Sequence, residues 1–174
     1  PESMENHFDR IFSIACFEHV HKFAYALEKM YRALKPGGIL FTMFSPIWSS
    51  YNGHHLPEMY DENIGKINFS NSPIPPWGHL LLTPSEMDIF LKENSKISPK
   101  TRAEMIYQVY QCPHINRLMT EDYINYCEQS SFQIKEISFS FPAKIPDSIN
   151  KELNRLYPKN KYFSNNGLII VLSK

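Results

Sequence analysis

The fold of this chain is decided by the stretch FDRIFSIACFEHV at residues 8–20 and by LKPGG at residues 34–38. Residues 9–15 are rich in Ile and Phe and predict a strand buried on both faces. After Phe23 the apolar residues recur at helical spacing, and the Pro-Gly-Gly sequence ends that helix. Residues 39–44 predict a second strand, so this part of the chain indicates a strand–helix–strand unit with parallel strands.

Composition indicates an ordinary globular protein of one domain. The 174 residues are 43% hydrophobic and 21% charged, and 18 basic residues balance 18 acidic ones. No basic stripe with interleaved aromatic residues is evident, so nucleic acid is not an expected partner. Three cysteines indicate a reducing compartment without a disulfide framework. Because the sequence has no leader pattern and no apolar run of about 20 residues, we expect a cytoplasmic protein that does not enter membranes.

The middle of the chain, residues 46–118, predicts an insertion. Seven of the thirteen prolines and both tryptophans fall in its first 54 residues, a stretch too long for a simple connector. Thr83-Pro84-Ser85-Glu86 has the N-cap, the first-turn proline and the third-position glutamate of a helix start, and Ser98-Pro99 predicts another. We therefore expect a largely helical and looped insertion, a substrate lid, over one end of the sheet.

The remaining residues, 119–174, return to regular elements. Residues 132–141 predict a strand whose change of apolar parity indicates a bulge or a late start. Asn165-Asn166-Gly167 predicts a turn, and the apolar residues 168–172 predict a last strand. Together with residues 1–45, these elements are expected to form one domain.

Both ends of the chain carry a family likeness. It rests on Phe8-Asp9-x-Ile11-x-Ser13, on Phe17-Glu18-His19-Val20 and on Tyr31-Arg32-Ala33-Leu34-Lys35-Pro36-Gly37-Gly38-Ile39-Leu40. These residues resemble the fourth strand, the following helix and the fifth strand of class I S-adenosylmethionine-dependent methyltransferases. Thr120-Glu121-Asp122-Tyr123 with Ser131-Phe132-Gln133-Ile134 is similar to that family's next helix and sixth strand, and residues 168–172 are similar to its antiparallel seventh strand. The insertion lies outside the resemblance.

The resemblance implies a Rossmann-like α/β fold, S-adenosylmethionine as cofactor, and methyl transfer to a small-molecule acceptor. The family's cofactor half has no counterpart here, because none of the six glycines forms a G-x-G pair and no strand precedes Phe8. We therefore expect the chain to be the C-terminal portion of an enzyme, truncated at its N-terminus. Alone it should be inactive and bind the cofactor weakly or not at all.

The family's sheet order, 3-2-1-4-5-7-6, sharpens this expectation. The strands present would form the contiguous half-sheet 4-5-7-6, with the strand at residues 10–15 as its inner edge. An apolar edge without a partner invites aggregation or strand exchange. We therefore expect residues 10–15 to pair with a missing N-terminal half or with another chain.

The end of that strand is the expected cofactor side, since ligands of open parallel sheets lie beyond the carboxyl ends of the strands. The resemblance implies that the backbone of Ile14, Ala15 and Cys16 lies along the methionine part of the cofactor; the alternative is that these residues are only core strand. His19 is assigned to the cofactor-binding residues as well; it either points toward the active site or caps the turn. Glu18 next to it could serve only the helix dipole.

The insertion supplies the candidate acceptor site. A tryptophan gives a flat apolar wall, and a histidine gives a proton acceptor that works near neutral pH. This pairing suits a sugar or another ring whose hydroxyl is deprotonated; the alternative is that the tryptophans pack the lid and the histidines lie on its surface. The residues so assigned are His54, His55 and His79 as catalytic groups, and Trp48, Tyr51 and Trp77 as substrate contacts.

Other chemistry finds less support in the sequence. His54, His55, His79 and Glu58 do not have the ligand spacing of a known zinc site, so no metal is expected. Cys16 has no identified base partner and is expected to be a small buried residue instead of a nucleophile. A hypothesis of another class is a complete, non-catalytic Rossmann-like module that uses the aromatic insertion as a partner surface.

Overall fold

The computed structural model of the protein describes residues 4–68 and 71–174. Residues 1–3 of the predicted first unit and residues 69–70 of the predicted lid lie outside the described residues. The strands are β1 (Phe8–Ile14), β2 (Leu34–Phe44), β3 (Met59–Asp61), β4 (Gly65–Ile67), β5 (Gln133–Pro142) and β6 (Asn165–Ser173). The helices are α1 (Phe23–Ala33), α2 (Gly78–Leu81), α3 (Pro84–Asn94), α4 (Pro99–Tyr110), α5 (Thr120–Gln129) and α6 (Asp147–Leu156).

Four of the strands form the main sheet in the order β1-β2-β6-β5. β1 and β2 run parallel, whereas β6 is antiparallel to both of its neighbours, β2 and β5. This arrangement is the half-sheet 4-5-7-6 with an antiparallel seventh strand, and it confirms the predicted α/β fold class.

Helices α1 and α5 cover one face of this sheet and build the main core. Phe23 and Leu27 of α1 and Tyr123 of α5 pack on Leu40 and Phe44 of β2, all of them nearly inaccessible to solvent. The rings of Phe17 and Phe44 lie 5.6 Å apart, so the turn after β1 is anchored in the same core.

The opposite face of β1 is open, which corrects one prediction. Residues 9–15 were predicted to be buried on both faces, yet Phe12 is 66% exposed and Ile14 is 54% exposed, while Ser13 on the helix-covered face is buried. The reason is that β1 is the outer strand of the sheet and only its α1 side is covered within the described chain.

The lid has its own apolar cluster and the two predicted helix starts. In α3, the Thr83 hydroxyl accepts from the Glu86 amide and the Glu86 carboxylate accepts from the Thr83 amide, which is the predicted capping box. In α4, Ser98 caps the Thr101 amide. The small hairpin of β3 and β4 was not predicted. Members of the cluster include Ile67, Met87, Leu91, Met105 and Val109.

The end of the chain corrects a second prediction. Asn165-Asn166-Gly167 was predicted to be a turn, but these residues are the first residues of β6. A Cβ built on Gly167 would lie 2.7 Å from the Phe44 carbonyl oxygen and 2.6 Å from the Ser140 hydroxyl. The glycine therefore serves close strand packing between β2 and β5 and not a turn. The predicted bulge in β5 occurs at Lys135, between Ile134 and Glu136.

We predict that Gly167→Ala lowers the free energy of unfolding by about 1–3 kcal/mol, because the added methyl group meets a backbone carbonyl that cannot turn away. Urea unfolding measures the change. Gly65→Asn is the matched control, since Gly65 has a φ of 80° with nothing within 4 Å of a built Cβ, and Asn tolerates that conformation. If Gly167→Ala is no more damaging than this control, close strand packing is not what requires the glycine.

Candidate active site

Histidines from the core and from the lid meet beyond the carboxyl ends of β1 and β2. His19 follows β1 by five residues, and its ring lies 5.4 Å from the ring of His55 in the lid. The His55 Nε2 atom lies 2.5 Å from the carbonyl oxygen of Pro46, two residues after the end of β2. The predicted lid histidines therefore include one at the ligand-binding edge of the sheet.

A loop of the lid is tied down on the turn after β1. The side-chain amide of Asn116 donates to the carbonyls of Phe17 (2.7 Å) and Val20 (3.1 Å), and its backbone amide donates to the Glu18 carbonyl (2.8 Å). The Tyr123 hydroxyl of α5 donates to the Asn116 side-chain oxygen at 2.9 Å. These bonds give donors to the carbonyls of Glu18 and Val20 and a further donor to the Phe17 carbonyl, which also accepts from the Val20 amide.

The same loop fixes the protonation pattern of His19. Its Nδ1 atom lies 2.6 Å from the His114 carbonyl oxygen. Because a carbonyl only accepts, Nδ1 must carry the proton, and in the neutral ring Nε2 is then a proton acceptor. His19 is exposed and its Nε2 makes no hydrogen bond within the described chain. His21 makes a similar contact, from Nε2 to the Pro113 carbonyl oxygen at 2.6 Å.

His55 and His114 extend this pair into the lid. The His114 Nε2 atom donates to the His55 carbonyl at 3.0 Å, and the two rings lie 6.5 Å apart. Burial lowers the pKa of His55 to about 4, although its bond to the Pro46 carbonyl opposes the shift. Burial also lowers the pKa of His114. Both rings are therefore neutral at pH 7 and can act as acceptors through the nitrogen that carries no proton.

His54 and His79 lie deeper, against the face of Trp48. His79 donates to the Trp48 carbonyl at 2.7 Å, and its ring centre is 4.5 Å from that of the indole. The His54 ring lies 5.7 Å from His79, and its Nδ1 accepts from the Leu56 amide at 3.1 Å. Burial lowers the pKa of His54 to about 4 and that of His79 to about 3. The buried Nδ1 of His79 has no hydrogen-bond partner within the described chain.

The aromatic candidates divide into two groups. Trp48 is half-buried and its ring faces the Arg117 guanidinium at 5.4 Å. Trp77 is only 2% exposed and donates through Nε1 to the Phe163 carbonyl at 3.1 Å, and Tyr51 packs against it at 5.9 Å between ring centres. The structure therefore places Trp48 among the histidines and Trp77 in the core below the lid.

The predicted cofactor residues occupy the exposed end of β1. Ile14 is 54% exposed, and Ala15 has a φ of 47° while its amide still donates to the Met43 carbonyl at 2.9 Å. Cys16 is exposed, which corrects the expectation that it is buried, because the chain leaves the sheet at its outer edge here. An accessible, irregular backbone at this edge fits the methionine part of the cofactor that the resemblance implies.

Glu18 is a buried acid in the turn after β1. It belongs to a 3-10 turn and is only 3% exposed, and its Oε2 atom has no partner within the described chain. Burial raises the pKa of this carboxyl. The alternative from the sequence, that Glu18 serves only the helix dipole, stays a prediction.

Backbone strain is concentrated at this site. Within the part of the chain that the structure describes, six non-glycine residues have positive φ, and four of them belong to the cluster or its walls: Ala15, His55, Trp77 and Arg117. Each such residue costs about 1–3 kcal/mol unless its surroundings hold it, and such residues gather at functional sites. Sequence reasoning missed His114, Asn116 and Arg117, because no local motif marks them and about a hundred residues separate them from His19.

Within residues 4–68 and 71–174, no group of three or more His, Cys, Asp or Glu side chains is placed to hold a metal ion. No helix of these residues is both long enough and apolar enough to cross a membrane.

Comparison with known proteins gives one family and several structures. A search of curated proteins finds no match. A methyltransferase from Mesorhizobium loti is 14% identical with a TM-score of 0.45, and the match covers 98% of this chain and 64% of that one. Phosphoethanolamine N-methyltransferase 2 of Haemonchus contortus, in complex with S-adenosyl-L-methionine, is 16% identical with a TM-score of 0.44, covering 98% of this chain and 34% of that one. An S-adenosylmethionine-dependent methyltransferase from Archaeoglobus fulgidus is 12% identical with a TM-score of 0.46, and the match covers 98% of this chain and 61% of that one.

The chain thus spans less than two thirds of the length of these structures. The family model that matches is that of the methyltransferase domain, over residues 3–42. This range holds β1, α1 and most of β2, the segment from which the resemblance was inferred. The predicted resemblance to the class I methyltransferases is confirmed by this match.

Proposed function

We propose that the chain forms the acceptor side of the active site in an S-adenosylmethionine-dependent methyltransferase. The observation that carries the proposal is the His19–His55 pair, with ring centres 5.4 Å apart, at the carboxyl ends of β1 and β2. This is the edge of an open α/β sheet where ligands bind, and His19 lies within the segment, residues 3–42, that matches the methyltransferase domain.

The residues of this chain would hold one part of the cofactor. Exposed backbone groups along the methionine part would come from Ile14, Ala15 and Cys16, and His19 would lie at the end of this part of the cofactor site. When bound, S-adenosylmethionine supplies an electrophilic methyl group. The rest of its site must come from a part of the fold not found among these residues, because the chain has no glycine-rich turn.

His19 is the proposed proton acceptor. Its Nδ1–H donates to the His114 carbonyl, so in the neutral ring the lone pair on Nε2 is available to accept a proton. When the acceptor hydroxyl takes the methyl group that bound S-adenosylmethionine would supply, Nε2 of His19 would accept the hydroxyl proton and become part of an imidazolium. His55 is the second candidate for this role.

We further propose a sugar or another ring hydroxyl as the acceptor. Trp48 offers a half-exposed ring face beside the histidines, and aromatic faces bind rings well. His54 and His79 would form the neutral wall behind it, and Trp77 and Tyr51 would hold that wall in place from the core.

The open face and edge of β1 support a partner for this strand. Phe12 and Ile14 are exposed, and Phe41 and Met43 beside them on β2 are only half-buried. Parallel strands are normally covered on both faces. We propose that the other half of the sheet, in the same polypeptide or in another chain, adds a strand to β1 and covers this face.

The other edge strand makes an informative contrast. β5 carries a bulge at Lys135 and ends in Pro142, and both features discourage further strand pairing. β1 has neither a proline nor a bulge between Arg10 and Ile14. One edge of the sheet is thus blocked and the other is left open for a partner.

The first prediction concerns His19. His19→Asn keeps a donor for the His114 carbonyl but removes the imidazole base, so we expect the kcat of methyl transfer to fall about 10²–10⁴-fold. The assay follows labelled methyl from S-adenosylmethionine to a panel of hydroxylated small molecules, with the longest natural polypeptide that contains this chain. His21→Gln is the matched control, because it keeps the donor for Pro113. Equal losses in both variants would rule out His19 as the base.

The second prediction concerns the open face. In that longest natural polypeptide, Phe12→Lys should lower the free energy of unfolding by about 2 kcal/mol or more, because a phenylalanine that becomes buried is lost. Phe141→Lys is the control: Phe141 is 60% exposed on β5, against 66% for Phe12 on β1. Urea unfolding of both variants measures the two changes in the free energy of unfolding. The covered-face proposal fails if Phe12→Lys is as harmless as Phe141→Lys.

A further inference from the structure

We propose that the acceptor carries a negatively charged oxygen group, such as a phosphate or a carboxylate, and that Arg117 of the lid binds it. The inference rests on the proposed function, because it names the substrate class of the same site. It starts from a cation that has no acidic partner.

The Arg117 guanidinium is held by the end of α4 and keeps one nitrogen free. Nε and Nη2 donate to the Val109 carbonyl at 3.2 and 3.0 Å, and Nη2 also donates to the Cys112 carbonyl at 2.8 Å. Among the described residues no carboxylate pairs with Arg117 and no acceptor binds its Nη1. The helix end carries roughly half an elementary negative charge, so a net positive charge remains.

This cation lies at the proposed site and not on a remote surface. It stands 5.4 Å from the ring of Trp48, whose centre is 4.5 Å from that of His79. The preceding residue, Asn116, is bonded to the turn that carries His19. Arg117 itself has a φ of 55°, an unusual conformation that directs its side chain from this anchored loop.

Among the described residues, the hydrogen-bond acceptors of Arg117 are backbone carbonyls and no acidic side chain pairs with it; burial raises the pKa of Glu18, the acid of the turn after β1, and so favours its uncharged form. Four neighbouring histidines have pKa values lowered, in each case mainly by burial, and no carboxylate acts on any of them: His54, His55, His79 and His114. The charge of Arg117 is one of the causes that lower the pKa of His114. Burial lowers the pKa of Arg117 as well. A bound oxyanion would supply the missing charge.

The chemistry of the group suits an oxyanion. A guanidinium offers paired, planar N–H donors to phosphate and carboxylate oxygens, and stacking on an aromatic ring holds it without using those donors. Trp48 does this for Arg117, and the indole of Trp48 is also the proposed contact for the acceptor ring. One side chain would thus hold the ring while its neighbour holds the anionic substituent.

The test uses inorganic phosphate and sodium acetate as probes on the 174-residue chain itself. Calorimetric titration at pH 7.5 is compared with sodium chloride at equal ionic strength. We expect saturable binding of at least one of the two probes. Arg117→Gln should weaken it about tenfold or more, because a charge-assisted hydrogen bond is lost. Arg155→Gln is the control, since Arg155 pairs with Glu152 on the exposed face of α6, and it should leave binding unchanged.

Circular dichroism shows whether Arg117→Gln still folds. If it does not, Arg117→Lys replaces it: the ammonium can still bond the end of α4, but it lacks the planar fork, and binding should weaken severalfold. Phosphate binding without acetate binding indicates a phosphorylated acceptor, and the reverse indicates a carboxylate. No binding beyond chloride, or equal binding by the wild type and the Arg117 variants, overturns the inference. If this chain binds an oxyanion but the longest natural polypeptide that contains it does not bind S-adenosylmethionine, the oxyanion site is supported and only the proposed function is contradicted.

Discussion

The hydrogen bonds of Asn116 are the constraint on which the site depends. The chain turns irregularly after β1, and the carbonyls of Glu18 and Val20 take donors from the Asn116 loop, as the Phe17 carbonyl does beside its bond within the turn. Asn116 provides them through its side chain and its backbone amide, and its side-chain oxygen is held by Tyr123 in the main core. As a result the loop that carries His114 and its neighbours is fixed over the end of the sheet, although nearly a hundred residues separate it from β1.

That anchoring determines the chemistry of the histidines. One ring nitrogen donates to a backbone carbonyl in each of His19, His55 and His114. This bond fixes the ring and leaves the other nitrogen as an acceptor. Burial keeps the lid histidines neutral. In the proposed function the free nitrogens accept a proton, and the proposed anionic acceptor would bind the positive charge of Arg117 beside Trp48.

The sequence predicts the parts of this structure that depend on local pattern. The half-sheet order and the capping of α3 by Thr83 follow from periodicity, cap residues and the family likeness. The exposure of Phe12 could not be predicted, because an apolar strand has the same sequence pattern whether or not a second layer covers its outer face. The role of Gly167 depends on how closely Phe44 approaches it. Arg117 becomes informative only once the fold places it on Trp48.

Binding of S-adenosylmethionine tests the methyltransferase assignment most directly. Calorimetry should compare the 174-residue chain with the longest natural polypeptide that contains it. We predict weak or undetectable binding by the chain alone, because it has no glycine-rich turn, and clear saturable binding by the longer polypeptide. Absence of binding by the longer polypeptide would contradict the proposed function, and tight binding by residues 1–174 alone would contradict the conclusion that they form only part of the cofactor site.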